Sequence, residues 1–287
     1  MMGRDLTMKL SRMEHVKHEK PAYKSLLDFY EKIFIAKEEV YQSLKALPIV
    51  FDEQVVQTKF KAGYPVLDKG IVDVDIKALE AFFCKLLQIS QDKNSETAGK
   101  LTSFIEKENL DVGKTLKEMW NGKTAPQKLK KEEVGDPTLL AFLLTESLKP
   151  LYEYLAQNLR DVIDVTLWEK GYCPICGKTP PIAAIPEGKW SRLLFCVYCG
   201  TEWSFPFLMC PFCGNEDEEG IRYLYVGNEK QYRIEVCKAC QKYLKVVDTA
   251  ALGSHVFLDI ENIVTLHLDI LAQKEGYQRG ARCPLLI

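Results

Sequence analysis

Four Cys-x-x-Cys pairs constrain this chain more than any other feature: Cys173/Cys176, Cys196/Cys199, Cys210/Cys213 and Cys237/Cys240. Eight of the ten cysteines fall within the 68 residues from Cys173 to Cys240, separated as C-x2-C-x19-C-x2-C and C-x2-C-x23-C-x2-C with ten residues between the halves. A Cys-x-x-Cys turn brings two thiolates to one side of a metal, about 4 Å apart, and two such turns on facing hairpins complete a tetrahedral four-thiolate site. Four pairs therefore predict two sites. Sequential pairing puts Cys173, Cys176, Cys196 and Cys199 in one and Cys210, Cys213, Cys237 and Cys240 in the other; an interleaved, cross-braced pairing is the alternative.

The residues around the pairs favour the sequential order. Gly177, Gly200 and Gly214 each follow the second cysteine of a pair, where positive φ turns backbone N–H groups toward sulfur. Pro174 and Pro211 preset two of the turns. Strand-like residues flank the closing pairs, such as Leu193-Leu194-Phe195 before Cys196 and Tyr243 to Val247 after Cys240. The competing chemistry, thiol–disulfide exchange, calls for a single pair at a helix N-terminus in a βαβ setting. Four pairs on hairpins do not resemble that.

The rest of the chain is helical in pattern. A length of 287 residues, 47% apolar and 27% charged, suits a soluble globular protein with more than one domain. Residues 1–20 are polar and basic, read as a flexible tail with His15 and His18 in solvent, and as neither a signal peptide nor a twin-arginine signal. Residues 21–166 read as a helical domain. Apolar spacing predicts helices over 21–46, 75–90, 95–108 and 111–120, and one in two parts from Asp136-Pro137 to Leu159, bent at Pro150. Asp111 and Asp136 are expected N-caps. Cys84 lies in an apolar run and reads as a buried small hydrophobe. The lysine-rich stretch 121–135 reads as a solvated loop with a helical turn. No uncharged apolar stretch is long enough to span a membrane.

The cysteine-rich half divides into a first ribbon at 167–203 and a second at 204–250. A C-terminal packing helix follows within 251–287, its core at 257–275. Trp203 and Tyr243 read as strand residues shielding the sites, with partner contact as the alternative. His267 reads as a hydrogen-bonded core histidine, and Cys283 has no assigned role. The fold class expected is α+β: an all-α N-terminal domain, two rubredoxin-like or zinc-ribbon modules and a C-terminal helix.

Four thiolates close a tetrahedron and leave no position for a hydrolytic water, so no catalytic residue is assigned and the chain reads as not an enzyme. Charge argues against nucleic acid. Between Trp168 and Val247 the side chains carry ten Lys/Arg and nine Asp/Glu, and each site holding a divalent ion adds −2, which leaves the module anionic. The run Glu216-Asp217-Glu218-Glu219 adds to this beside the second site. Thiolate sites need reduced thiols, which fits the cytoplasm. Zinc and iron both accept such a donor set.

The ribbons resemble the formate dehydrogenase accessory proteins, the FdhE family. The matching stretches are CPICGKTPP at 173–181, RLLFCVYCGTEW at 192–203, CPFC at 210–213 and EVCKACQKYLK at 235–245, with the helix from Asp259 to Tyr277. The resemblance covers 165–285; the helical half matches only in character. It implies a cytoplasmic, non-catalytic helper in maturation of formate dehydrogenase that binds its catalytic subunit. It also implies two metal ions held by the eight paired cysteines, with rubredoxin-type iron favoured over zinc. The resemblance names no segment of this chain as the partner-binding surface, and nothing in the sequence excludes a homodimer. A rubredoxin-like electron carrier or redox sensor is the alternative function. Gln241 stands where the family often has Gly, which is expected to loosen one knuckle of the second site, and Cys283-Pro284 replaces Asn-Pro.

Overall fold

The computed structural model describes residues 2–45, 48–67, 76–108, 110–123, 136–188, 191–227, 229–253 and 256–281. Cys283 lies outside them, as does most of the lysine-rich stretch. The chain forms two compact units. The first is drawn mainly from Met1–Val50 and Asp68–Tyr154, the second from Phe51–Leu67 and Leu155–Cys283.

The first unit is helical. α1 (Met2–Glu19) packs on α2 (Lys24–Leu44), α2 on α4 (Ile76–Lys93), and α4 on α5 (Ser95–Lys107) and α6 (Val112–Trp120). α7 (Pro137–Arg160) begins here and runs on past Tyr154, with Pro150 inside one helix rather than dividing it. Asp136 and Asp111 cap as expected: the Thr138 N–H donates to Asp136 at 2.8 Å and the Lys114 N–H to Asp111 at 2.7 Å. Phe142 of α7 is fully buried, its ring 6.2 Å from those of Phe29 and Tyr30 on α2. Burial of each such side chain contributes about 1.5–3 kcal/mol, so these contacts rather than propensity hold the helices together.

Two expectations fail here. Residues 2–19 are a helix, not a tail, because Met13 and Val16 are buried and Lys17 is held by Glu14 (2.5 Å), Asp28 (2.8 Å) and Glu31 (2.5 Å). Burial alone would lower the Lys17 ammonium, but the three carboxylates outweigh it and raise it. Charge that reads as solvated in sequence thus pins this helix to its neighbour. His15 and His18 do face solvent. Cys84 is exposed, not buried: it falls between the buried positions Phe83 and Leu86, off the apolar stripe of α4.

The second unit is built on one sheet. Its strands are β1 (Ile182–Ile185), β2 (Ser191–Phe195), β3 (Glu202–Pro206), β4 (Ile221–Leu224), β5 (Tyr232–Cys237), β6 (Lys242–Asp248) and β7 (Gln278–Arg279), in the order β3-β2-β1-β6-β5-β4, with β7 also on β6. The two ribbons predicted from the cysteines, β1-β2-β3 and β4-β5-β6, are each antiparallel. They join through the parallel pair β1–β6, in register Ile182↔Lys245 to Ile185↔Asp248. Ile182, Ala183 and Ala184 are all buried, which suits a strand covered on both faces. α3 (Glu53–Lys61), capped by Asp52, belongs to this unit; with only Val56 buried it carries too short an apolar pattern to predict.

After β6 come α8 (Thr249–Leu252), α9 (Leu258–Val264) and α10 (Leu266–Lys274). The single C-terminal helix expected is divided at Thr265, whose φ and ψ are −116° and 25°. The reason is a buried lysine. Lys245 on β6 donates its ammonium to the Asn262 carbonyl at 2.7 Å, an acceptor that a continuous helix would give to the N–H four residues on. The same Nζ pairs with buried Asp269 at 2.8 Å, and the Tyr243 hydroxyl donates to that carboxylate at 2.8 Å. Burial, then the Asp269 charge, pushes the Tyr243 phenol well up. His267 is half-buried and meets Glu229 at 2.9 Å.

Candidate metal centres

Each cysteine pair sits on a tight turn of one repeated design. The residue after the second cysteine takes positive φ: 73° at Gly177, 67° at Gly200, 73° at Gly214 and 55° at Gln241. Its N–H donates back to the carbonyl of the first cysteine, at 3.0 Å in the Cys173 turn and 2.9 Å in the other three. Gln241 is the only non-glycine at positive φ among the described residues. It closes the same turn as the glycines with the same bond, at 2.9 Å, so the expected loosening is not seen; the cost is backbone strain instead, about 1–2 kcal/mol for an L-residue in this region. Its carbonyl accepts from the Gln278 N–H at 2.8 Å and its side-chain amide donates to the Lys238 carbonyl at 2.7 Å, which help to hold it there.

The turns converge in sequential order. Cys173, Cys176, Cys196 and Cys199 form one cluster and Cys210, Cys213, Cys237 and Cys240 the other, with the sulfurs of each within 4.8 Å of one another. In the first, Cys173 and Cys199 sulfurs are 3.5 Å apart and Cys176 and Cys196 are 3.4 Å apart. In the second, Cys210–Cys240 is 3.8 Å and Cys213–Cys237 is 3.7 Å. These are free thiols, far beyond the roughly 2.05 Å of a disulfide. Four thiolates about 2.3 Å from a central ion would stand about 3.8 Å apart, so both clusters fit a tetrahedrally bound cation. Each could hold one metal ion.

Electrostatics point the same way. Burial pushes the thiols of Cys176 and Cys196 well above their usual range. Cys199 is carried well below it against its own burial, by hydrogen bonds from the other three thiols and from the Thr201 hydroxyl at 3.2 Å. In the second cluster burial raises Cys210, and raises Cys240 to about 11. Cys237 is lowered, because the backbone N–H groups of Cys240 and Ala239 outweigh its burial. Four thiolates cannot share one pocket without a cation, so metal binding here must displace protons. N–H···S contacts from Phe212 and Cys213 to Cys210 are of the kind expected at these turns.

The clusters differ in their surroundings. The first is walled by the segment 60–67, from over a hundred residues upstream. The Val66 and Leu67 N–H groups donate to the Pro174 and Ile175 carbonyls at 2.9 Å, the Tyr172 hydroxyl to the Gly63 carbonyl at 2.7 Å, and Phe60 stacks on Trp168 at 5.1 Å. Three of its cysteines are buried and Cys176 half-buried. In the second, Cys213 is exposed and Cys240 half-buried. Behind Cys210 lies buried Arg192 of β2, paired with Glu235 and donating to the Met209 carbonyl. Burial lowers the Arg192 guanidinium to about 10, leaving it charged at neutral pH. Trp203 and Tyr243 are buried, with Trp203 donating to the Lys170 carbonyl at 2.9 Å. Neither is placed to touch a partner. Sequence reasoning did not single out Thr201, Arg192 or the 60–67 segment; no spacing signal marks them.

Comparison with known proteins adds to this geometry. A protein of Aquifex aeolicus named Protein FdhE homolog is 27% identical over 281 residues, 95% of this chain and 92% of that one. Residues 208–286 match the family described as FdhE, C-terminal domain. Along nearly its whole length the chain is thus similar to a protein of the FdhE family, and its C-terminal part matches that family's C-terminal domain. A homologue from Stutzerimonas stutzeri is 32% identical over 131 residues, 43% of this chain and 39% of its own length. The crystal structure of the FdhE protein from Pseudomonas aeruginosa shares the fold with a TM-score of 0.71 at 19% identity, covering 98% of this chain and 95% of that one. The family resemblance seen in the cysteine motifs thus extends over the helical half, where the motifs are silent.

Proposed function

We propose that this chain is an accessory protein in the maturation of formate dehydrogenase, acting in the cytoplasm and binding the catalytic subunit of that enzyme through its double four-cysteine module. The observation that carries this reading is the similarity along nearly the whole chain to an FdhE homologue, together with all eight paired cysteines gathered into two clusters. Cys173, Cys176, Cys196 and Cys199 hold one metal ion and Cys210, Cys213, Cys237 and Cys240 a second, iron being favoured over zinc. A bound ion supplies a closed, redox-capable or purely structural centre, with no position for substrate. The chain's own part is to orient the thiolates, exclude water from the first site and present a shaped surface to the client. Among the described residues no helix is long and apolar enough to cross a membrane, and no catalytic grouping is assigned.

The test is anaerobic purification followed by metal analysis and a visible spectrum on one sample, then capture of the catalytic subunit by the loaded chain. Two irons with a thiolate-to-iron charge-transfer band and a specific complex are expected. Failure to capture the subunit under these conditions would remove the accessory reading. Exposed Cys213 brings one thiolate to the surface, as an electron carrier requires, and keeps a rubredoxin-like role as the second reading. That role predicts a reversible one-electron couple at the second site without any need for the subunit.

A further inference from the structure

The sheet of the second unit has two outer edges, and they are treated differently. At one end, the turn Val165–Leu167 packs against β3, and β3 closes on Pro206, which has no N–H to offer. At the other end, among the described residues β4 pairs only with β5, in register Ile221↔Cys237 to Leu224↔Ile234. The Lys238 N–H donates to the Gly220 carbonyl at 2.8 Å, which makes Gly220 and Lys238 a hydrogen-bonded pair. Alternation along an antiparallel ladder then directs the N–H and C=O of Arg222 and Leu224 toward β5, and those of Ile221 and Tyr223 away from the sheet. Among the described residues no backbone bond meets them there.

Side chains complete the surface. Tyr223 on the strand and Tyr225 just after it are 37% and 54% exposed. Arg233 lies over the rings of Tyr223, at 4.9 Å, and Phe207, at 5.2 Å, which holds both rings in place from below. Immediately before the strand stand the exposed acids Glu216, Asp217 and Glu219. An open edge with fixed aromatic rings at one end and negative charge at the other is the arrangement used in strand addition. There, backbone bonds give affinity and flanking side chains give selectivity.

We infer that β4 is the docking edge for an extended segment of a partner protein, apolar where it passes Tyr223 and Tyr225 and basic where it reaches Glu216, Asp217 and Glu219. The segment adds a strand beyond β4, next to the second cysteine cluster, since Ile221 pairs with Cys237. The partner is taken to be the catalytic subunit of formate dehydrogenase, and to that extent the proposal rests on the function proposed above.

The experiment compares the full metal-loaded chain with two variants, using the purified catalytic subunit as probe. Tyr223→Pro removes an outward N–H at an edge position, where proline is tolerated, and metal content confirms that the variant is folded. Glu216→Lys combined with Glu219→Lys reverses the charge. Wild type is expected to bind with slowed hydrogen exchange at the Ile221 and Tyr223 amides. Tyr223→Pro should weaken binding at least tenfold, and the double charge reversal three- to tenfold with a flatter salt dependence. Binding that Tyr223→Pro leaves unchanged, with those amides still exchanging freely, overturns the edge proposal and leaves the accessory role standing. Absence of binding by wild type overturns both. A concentration-dependent dimer that Tyr223→Pro abolishes would assign the edge to a second copy of this chain and overturn the proposed partner.

Discussion

The two four-cysteine clusters are built from the same turn and end in different environments. The first is sealed by a segment from far upstream and keeps three cysteines buried; the second leaves Cys213 exposed and lies near an open sheet edge. Ligand chemistry is identical, so any difference in behaviour must come from solvent access and from what packs around the sulfurs. A sealed site releases its ion only when the walls open, whereas an exposed thiolate can be reached by chelator, oxidant or partner without unfolding. The first cluster therefore reads as a structural anchor and the second as the responsive one.

The largest effect should come from removing a ligand. Cys196→Ser is expected to drop metal content from two ions to one and to lower the melting temperature of the second unit by about 10 °C or more, because metal binding there is part of folding. Cys213→Ser should lose one ion with a clearly smaller drop in calorimetry. Equal drops would break the contrast between anchor and responsive site. Next in size is Gly171→Ala. A Cβ at Gly171 would lie 1.9 Å from the Pro211 carbonyl oxygen, so backbone of the first ribbon must move against the turn of the second. A loss of about 1–3 kcal/mol is expected by chemical denaturation.

Chelator challenge should release metal in two phases, the faster at least about tenfold quicker and absent in Cys213→Ser. Both should quicken as pH falls. Burial raises Cys176, Cys196, Cys210 and Cys240 in the metal-free chain, so these thiols are protonated near neutrality and binding expels their protons. Affinity then rises with pH and falls toward acid, and proton release measured during metal titration checks the sign. The smallest effect is Gln241→Gly. Relief of the left-handed strain, partly offset by greater freedom of the unfolded chain, should stabilise the second cluster by about 0.5–1 kcal/mol and slow its metal loss.

The cysteine sequence carried much of this. Local spacing and the residues after each pair specified four turns, because a Cys-x-x-Cys turn closes on itself within five or six residues; they favoured sequential pairing but left the interleaved one open, and the meeting of distant turns decided it. Caps at Asp111 and Asp136 were legible for the same reason: each interaction spans two or three residues. Periodicity found helices with broad apolar stripes. It missed α1, where a buried Lys17 does part of the holding, and α3, where Val56 alone is buried.

What the sequence by itself determined is the local chemistry: two four-cysteine clusters and helical segments before them. Tertiary structure decided how those parts are joined and shielded. It merged two ribbons through β1–β6, closed segment 60–67 over the first cluster, broke the last helix where Lys245 takes the Asn262 carbonyl, and among the described residues left the outer side of β4 without a paired strand. Each of these depends on groups distant in the chain whose meeting repays loop closure only once the whole core has formed, and no pattern of neighbouring residues encodes that.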